Sequence, residues 1–166
     1  MSTLPNTEKK KIEPLALTPD TIVDIINKNE LVLIDFWAEW CPPCLMQGEE
    51  IEKNGNQIVE KYPTLKLCKM NVDTDKGISN NLNIEYIPEI VIFYKGHIGI
   101  MQSGVRPIEE ILKFIGEFLT HTESCPDEVV DVPKILFEPP PPKPKEKPKK
   151  KTKKETKKTE KATDQK

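Results

Sequence analysis

The apolar positions of this chain change period along its length, and each period predicts an element. Leu31 to Trp37 is apolar on successive residues apart from Asp35. Such a run predicts a strand covered on both faces, hence a central strand of an α/β sheet. Ahead of it, Leu15 to Leu17 predicts a short edge strand. Thr18-Pro19-Asp20 predicts a helix start, with Thr18 as cap, Pro19 at the first helical position and Asp20 in the first turn. Ile22, Val23, Ile25 and Ile26 supply that helix's buried stripe, which ends near Asn29. After Cys44 the pattern turns helical to about Tyr62, with Met46, Ile51, Ile58 and Val59 as its apolar positions. Gly48, Asn54 and Gly55 predict a bend or break within it. Leu65 to Val72 alternates like a strand, and Asp73-Thr74-Asp75 starts a short helix to about Asn81. Ile90–Tyr94 and Ile98–Met101 read as strands joined by a hairpin at Lys95-Gly96-His97. Pro107 opens a last helix, striped by Ile108, Ile111, Leu112, Ile115, Phe118 and Leu119. The order β-α-β-α-β-α-β-β-α predicts an α/β fold with a central mixed sheet flanked by helices on both faces.

These elements occupy residues 15–120, enough chain for one core. Residues 1–14 are polar and carry Lys9-Lys10-Lys11, and read as a flexible N-terminal arm. Residues 121–142 read as a Pro-containing linker. Within it Val129, Val130, Val132, Ile135, Leu136 and Phe137 could dock on the domain or on a partner. Pro139 to Pro142 predicts a stiff polyproline spacer. Residues 143–166 are Lys/Thr/Glu/Pro low complexity and predict a disordered Lys-rich tail.

Charge sharpens this division. The net charge of −2 hides a tail of +8, with twelve lysines against four acids from Lys143 to Lys166. The rest of the chain carries −10. Three readings of the tail follow: solubilising charge, electrostatic contact with a polyanion or an anionic membrane, or folding back on the acidic body. No aromatic residue interleaves with the lysines, so base stacking is not expected. No apolar run approaches the roughly 20 residues that span a bilayer. The N-terminus does not read as a secretory signal, so a cytoplasmic location and a monomer are expected.

The chemistry concentrates at Cys41-Pro42-Pro43-Cys44, where the buried strand gives way to a helix. A helix N-terminus presents unpaired N–H groups and positive partial charge, and both favour a thiolate. Cysteines separated by two intervening residues can close a small disulfide ring. A bare C-x-x-C also occurs in zinc sites, which need about four ligands. The remaining candidates, Cys68, Cys125, His97 and His121, form no second close pair. Inert core cysteines are the other alternative. No bound cofactor or metal is called for; the redox-active Cys41/Cys44 pair serves in its place.

Asp35 to Cys44 resembles the active-site segment of the thioredoxin family, and the similarity continues from about Leu15 to Thr120. Lys69 to Asp73 resembles the end of the family's central strand, Ile87-Pro88 its cis-proline loop, and Lys95-Gly96 its hairpin turn. Gly104 falls where the family has a glycine beside the site. The resemblance implies the thioredoxin fold and a thiol–disulfide oxidoreductase that reduces protein disulfides. It implies Cys41 as nucleophile, Cys44 as resolving thiol, Asp35 as proton acceptor for Cys44, and Lys69 as the partner of Asp35. The substrate groove would be formed by Trp40, Pro42, Pro43, Tyr86, Ile87, Pro88, Ser103 and Gly104, with the Ile87 backbone pairing with an extended substrate. Thioredoxin reductase or another dithiol donor would recharge the pair.

Three positions depart from the usual family pattern: Pro42 for glycine, Leu45 for lysine, and Glu89 for threonine. Each makes the Cys41 thiolate less favourable, which predicts a higher Cys41 pKa and a more reducing disulfide. Trp37 reads as core packing, Cys68 as a small buried hydrophobe, and Cys125 as an exposed thiol that is either regulatory or idle. The rival to the enzyme is a thioredoxin-fold adaptor recruited to polyanions by its tail. An exported oxidase is a third reading, disfavoured by the N-terminus.

Overall fold

A computed structural model describes residues 11–74, 76–100, 103–124 and 131–138. The tail from Lys143, the Pro139–Pro142 spacer, Cys125, Asp75, Met101 and the first ten residues of the expected arm lie outside the described residues.

Five strands form one sheet in the order β1-β3-β2-β4-β5: β1 (Leu15–Ala16), β2 (Leu31–Trp37), β3 (Leu65–Asn71), β4 (Glu89–Tyr94) and β5 (His97–Ile100). β2 lies parallel to β3 and antiparallel to β4, and β1 is parallel to β3, so the sheet is mixed. β2 is central and its first six residues are buried, as its unbroken apolar run requires. The β4–β5 hairpin turns through Lys95 and Gly96, both at positive φ (48° and 80°), the two-residue geometry that matches strand twist.

Helices cover both faces. On one lie α1 (Pro19–Lys28), α4 (Lys76–Asn81) and α6 (Val132–Phe137); on the other lie α2 (Pro42–Asn54), α3 (Asn56–Lys61) and α5 (Ile108–Ser124). The first face packs Ile22, Val32, Ile34, Phe36, Val91 and Phe93 into one core. The second packs Leu31, Leu33, Ile51, Ile58, Ile92 and Ile111 into another. Each such side chain contributes about 1.5–3 kcal/mol on burial. This is the thioredoxin fold. The helix after Cys44 breaks at Gly55, as its composition suggests.

Several expectations change. Met46 lies on the exposed side of α2 rather than in its apolar stripe, because the helix starts at Pro42 and turns position 46 outward. His97 is the buried first residue of β5 rather than a turn residue, since the turn needs only two residues. Ile12, in the stretch read as an arm, packs against the second core, and Lys11 pairs with Glu52. The stretch 121–142, read as a linker, begins with the end of α5 and contains α6. Val132 and Leu136 of α6 are buried in the first core, so of the two resting places open to these residues they occupy the domain's own surface.

Candidate active site

Cys41 is the N-cap of α2, and Pro42 and Pro43 occupy its first two positions. Proline carries no N–H, so two of the four donors that a helix start normally leaves free are missing here. The first one available belongs to Cys44. It points at the Cys41 carbonyl oxygen (3.0 Å) and at Cys41 Sγ (3.3 Å). The two cysteines are joined by a disulfide, with Cα atoms 5.2 Å apart. Ala38, Trp37, Val72 and Ile87 pack around them. The open surface lies beside the pair rather than on it: Cys41 is 5% exposed, Cys44 1% and Trp40 67%. Leu45, Met46 and Tyr86 are also exposed.

The loop before β4 closes over this pair. The Ile87–Pro88 peptide bond is cis, and the Ile87 carbonyl oxygen lies 3.8 Å from Cys41 Sγ. A disulfide sulfur bears no hydrogen, so this is a packing contact. The Gly104 N–H donates to the Pro88 carbonyl at 2.9 Å, and Gly104 holds φ at 114°, a region costly for any residue with a Cβ. Ser103 Oγ donates to Glu89 Oε2 at 3.3 Å. Burial pushes the Glu89 carboxyl above the usual range and the Glu85 charge adds to the rise, while the Ser103 bond opposes it. The structure thus brings Cys41, Cys44, Ile87 and Pro88 together, with Ser103 and Gly104 behind the proline. The Trp40 indole N–H donates to Asp73 Oδ2 at 2.7 Å. Between Trp40 and Ile87 a depression of about 240 Å³ opens, walled by Val72, Asp73, Ser79 and Asn80. A larger hollow of about 350 Å³, between the end of α1, the β4–β5 turn and the start of α6, borders the opposite end of β2 and no cysteine.

Asp35 lies on the α2 side of β2, in phase with Leu31 and Leu33, and is buried. Its Oδ1 has no hydrogen-bond partner among the described residues. Burial pushes its pKa up to about 7, against the opposing charge of Lys69. Lys69 is its register partner in β3 but forms no ion pair with it; Lys69 Nζ lies over the Trp37 ring, 5.7 Å from the centroid. The expected partnership therefore acts through charge alone.

Sequence reasoning missed three residues that hold the site. Gln47 is buried in α2 and bonds the Arg106 backbone twice, accepting its N–H at 2.6 Å and donating to its carbonyl at 3.2 Å. Glu50 accepts the Ile108 N–H at 3.1 Å, tying α2 to the start of α5. Asp73 anchors Trp40 as above. A polar residue within a helix pattern carries no signal of a backbone partner nearly sixty positions away. Cys68 is buried and free, its thiol pushed up to about 11 by desolvation. His97 and His121 belong to β5 and α5. Among the described residues no group of three or more His, Cys, Asp or Glu side chains is placed to hold a metal, and no helix is long and apolar enough to cross a membrane.

Comparison with known proteins places this geometry. A family profile described as Thioredoxin matches residues 13–117. The chain is 37% identical over 99 residues to a thioredoxin of Griffithsia pacifica, covering 60% of this chain and 88% of that protein. It is 33% identical over 94 residues to a thioredoxin of Mycoplasma pneumoniae, covering 57% and 88%. Among solved structures it is similar to mitochondrial thioredoxin 3 of Saccharomyces cerevisiae in its oxidised form, with a TM-score of 0.53, 25% identity, and coverage of 62% of this chain and 94% of that one.

Proposed function

The chain belongs to the thioredoxin family, and from that premise we propose that it reduces disulfide bonds in proteins by cycling Cys41 and Cys44 between dithiol and disulfide. The observation that carries the reading is the Cys41–Cys44 pair at the first turn of α2, packed against Ile87 beside the cis Pro88.

The cycle starts from the reduced pair. The Cys41 thiolate attacks one sulfur of a substrate disulfide, that bond breaks, and the other substrate sulfur leaves as a thiolate that takes up a proton. A mixed disulfide now links Cys41 to the substrate. Cys44 gives its proton to the Asp35 carboxylate and attacks Cys41 Sγ. The second substrate sulfur departs, and the Cys41–Cys44 disulfide remains. Two electrons have passed to the substrate. A flavin-dependent thioredoxin reductase or another dithiol donor returns them. Asp35 suits its part because a carboxyl that titrates near 7 accepts and releases a proton at neutral pH. Lys69 biases it toward the charged form. Trp40, Pro42, Pro43, Tyr86, Ile87, Pro88, Ser103 and Gly104 form the docking surface, with an extended substrate segment laid against the Ile87 backbone.

The test is reduction of insulin by the full chain with dithiothreitol as electron donor. Acceleration that vanishes in Cys41→Ser, with a trapped mixed disulfide in Cys44→Ser, is the expected result. A wild-type protein whose two thiols alkylate normally but which leaves the insulin rate unchanged would refute the reading.

A further inference from the structure

The matched family region stops at residue 117, but the packed core does not. Leu136 of α6 is 0% exposed. With Val132 it stands in one cluster with Ile22 and Ile26 of α1, Ile78 and Leu82 of α4, and Phe93 of β4. The Asn81 side-chain amide donates to the Leu136 carbonyl at 2.8 Å, so α4 and α6 share a directed bond as well as apolar contact. Asp131 closes the start of α6, its Oδ1 accepting the Lys134 N–H at 3.1 Å, and Pro133 lies in the first turn.

α4 has two uses. Through Ile78, Asn81 and Leu82 it meets the core and α6. Through Ser79 and Asn80 it walls the depression beside Trp40 and Ile87. A helix of six residues does not sustain itself by its own hydrogen bonds; its position depends on what packs against it.

We propose that α6 is a strap that fixes α4, and through it the groove wall that receives a protein substrate, with Leu136 and Asn81 as positioning residues. The inference rests on the oxidoreductase reading above. The strap acts on docking rather than on sulfur chemistry, because the side chains around the disulfide, Trp37, Ala38, Val72 and Ile87, belong to neither α4 nor α6. The path is short: Leu136 to Ile78, Asn81 and Leu82, then Ser79 and Asn80, then the groove.

Two substrates test this in the full chain: insulin, which needs the groove, in steady state with dithiothreitol as donor, and the small disulfide dithionitrobenzoate, which does not, in a single turnover with protein reduced beforehand and freed of dithiothreitol. Leu136→Ala raises KM for insulin about fivefold, leaves kcat and the dithionitrobenzoate rate unchanged, and is rescued by Leu136→Met. In the same variant the Leu82 and Ile84 amides, bonded to the Ile78 and Ser79 carbonyls, exchange hydrogen faster while those of β2 do not. An unchanged insulin KM, or a parallel fall for both substrates, overturns the proposal. If the wild type turns over neither substrate, the oxidoreductase reading fails. The exchange pattern then decides separately: selective loosening of α4 keeps the strap, and unaltered or global exchange removes it.

Discussion

Asp35 and Lys69 are register partners on neighbouring parallel strands, yet no ion pair joins them. The carboxyl is 3% exposed, with Oδ1 unpartnered among the described residues, and the ammonium group sits over the Trp37 ring. A cation near enough to act through its charge, but not bonded, leaves the carboxyl poised between its two protonation states. A direct, short ion pair would instead hold it ionised well below neutral pH and end its use as a proton acceptor.

That arrangement has a stability cost with a definite sign. The folded pKa of about 7 lies above the ordinary 3.8, so between these values the folded protein binds more protons than the unfolded chain. Stability is therefore greatest, for this group, below pH ~4, falls as pH rises toward 7, and levels off above it. At about 1.4 kcal/mol per tenfold change in proton affinity, the full loss is on the order of 4 kcal/mol. Asp35→Asn should thus be more stable than wild type at pH 8, by roughly 2–4 kcal/mol, with the gap closing near pH 4. The same variant should reduce insulin more slowly and lose the pH dependence centred near 7. Urea denaturation across pH, run beside the kinetics, checks both halves.

Asp35 was legible in the sequence because an acid within an unbroken apolar strand has nowhere to go but the core. The order of elements along the chain, the start of α2 at the cysteines and the break at Gly55 were legible for a similar reason: period, proline and glycine are local signals. The support of the site was not. Gln47 and Glu50 look like any polar residues on a helix, and only folding reveals that they face the Arg106–Ile108 backbone. α6 was half legible. Its apolar residues announced a need for burial, but nothing local said that the surface of α1 and α4 would supply it. Met46 and His97 misled because an apolar or turn-adjacent residue changes role with a rotation of one position.

Pro42 should set the acidity of Cys41. With the N–H groups of the first two helical positions absent, Sγ has the Cys44 N–H at 3.3 Å as its backbone donor. Pro42→Gly restores one candidate donor. A weak N–H···S bond is worth about 0.5–1.5 kcal/mol, which corresponds to at most ~30 mV in the potential of a two-electron couple. The Cys41 pKa should fall and the disulfide become less reducing, while the added glycine lowers stability by ~0.4–1 kcal/mol through the unfolded chain. Glu89→Gln, which removes a charge from the Pro88 loop, should move the Cys41 pKa in the same direction. Thiolate absorbance titration of the reduced protein and equilibration against glutathione measure these changes; a rise in pKa in either variant contradicts the argument.

Gln47 is a sharper test of the scaffold. Its amide satisfies both backbone groups of Arg106, and the Arg106 guanidinium in turn donates to the Ser103 carbonyl at 3.2 Å. Gln47→Glu keeps the acceptor but loses the donor and places a charge in a fully buried position. The expected loss is about 2–4 kcal/mol at pH 7. Part of it should return at pH 4, where a protonated carboxyl can again donate to the Arg106 carbonyl. A surface glutamine would show neither the loss nor its recovery.

Trp40 is the most conspicuous exposed side chain at the site, and one bond fixes its direction. Its indole N–H reaches Asp73 Oδ2 at 2.7 Å, and Asp73 is itself seated by its own N–H on Asn71 Oδ1 at 2.9 Å. Because the indole is exposed, losing this bond costs the fold little: Asp73→Ala should change unfolding free energy by less than about 0.5 kcal/mol. It should nevertheless free the ring that borders the groove, so that part of the substrate's binding energy goes into ordering it again. The cost of fixing one such side chain is about 0.5–1.5 kcal/mol, which raises the insulin KM by about two- to tenfold and leaves kcat alone. Asp73→Asn retains an acceptor at the same place and should fall between wild type and alanine. Trp40 fluorescence anisotropy, read in a Trp37→Phe background, should follow the same order; an alanine variant with unchanged anisotropy and KM would mean that packing against the Val72 and Ile87 side of the depression, not the carboxylate, holds the ring.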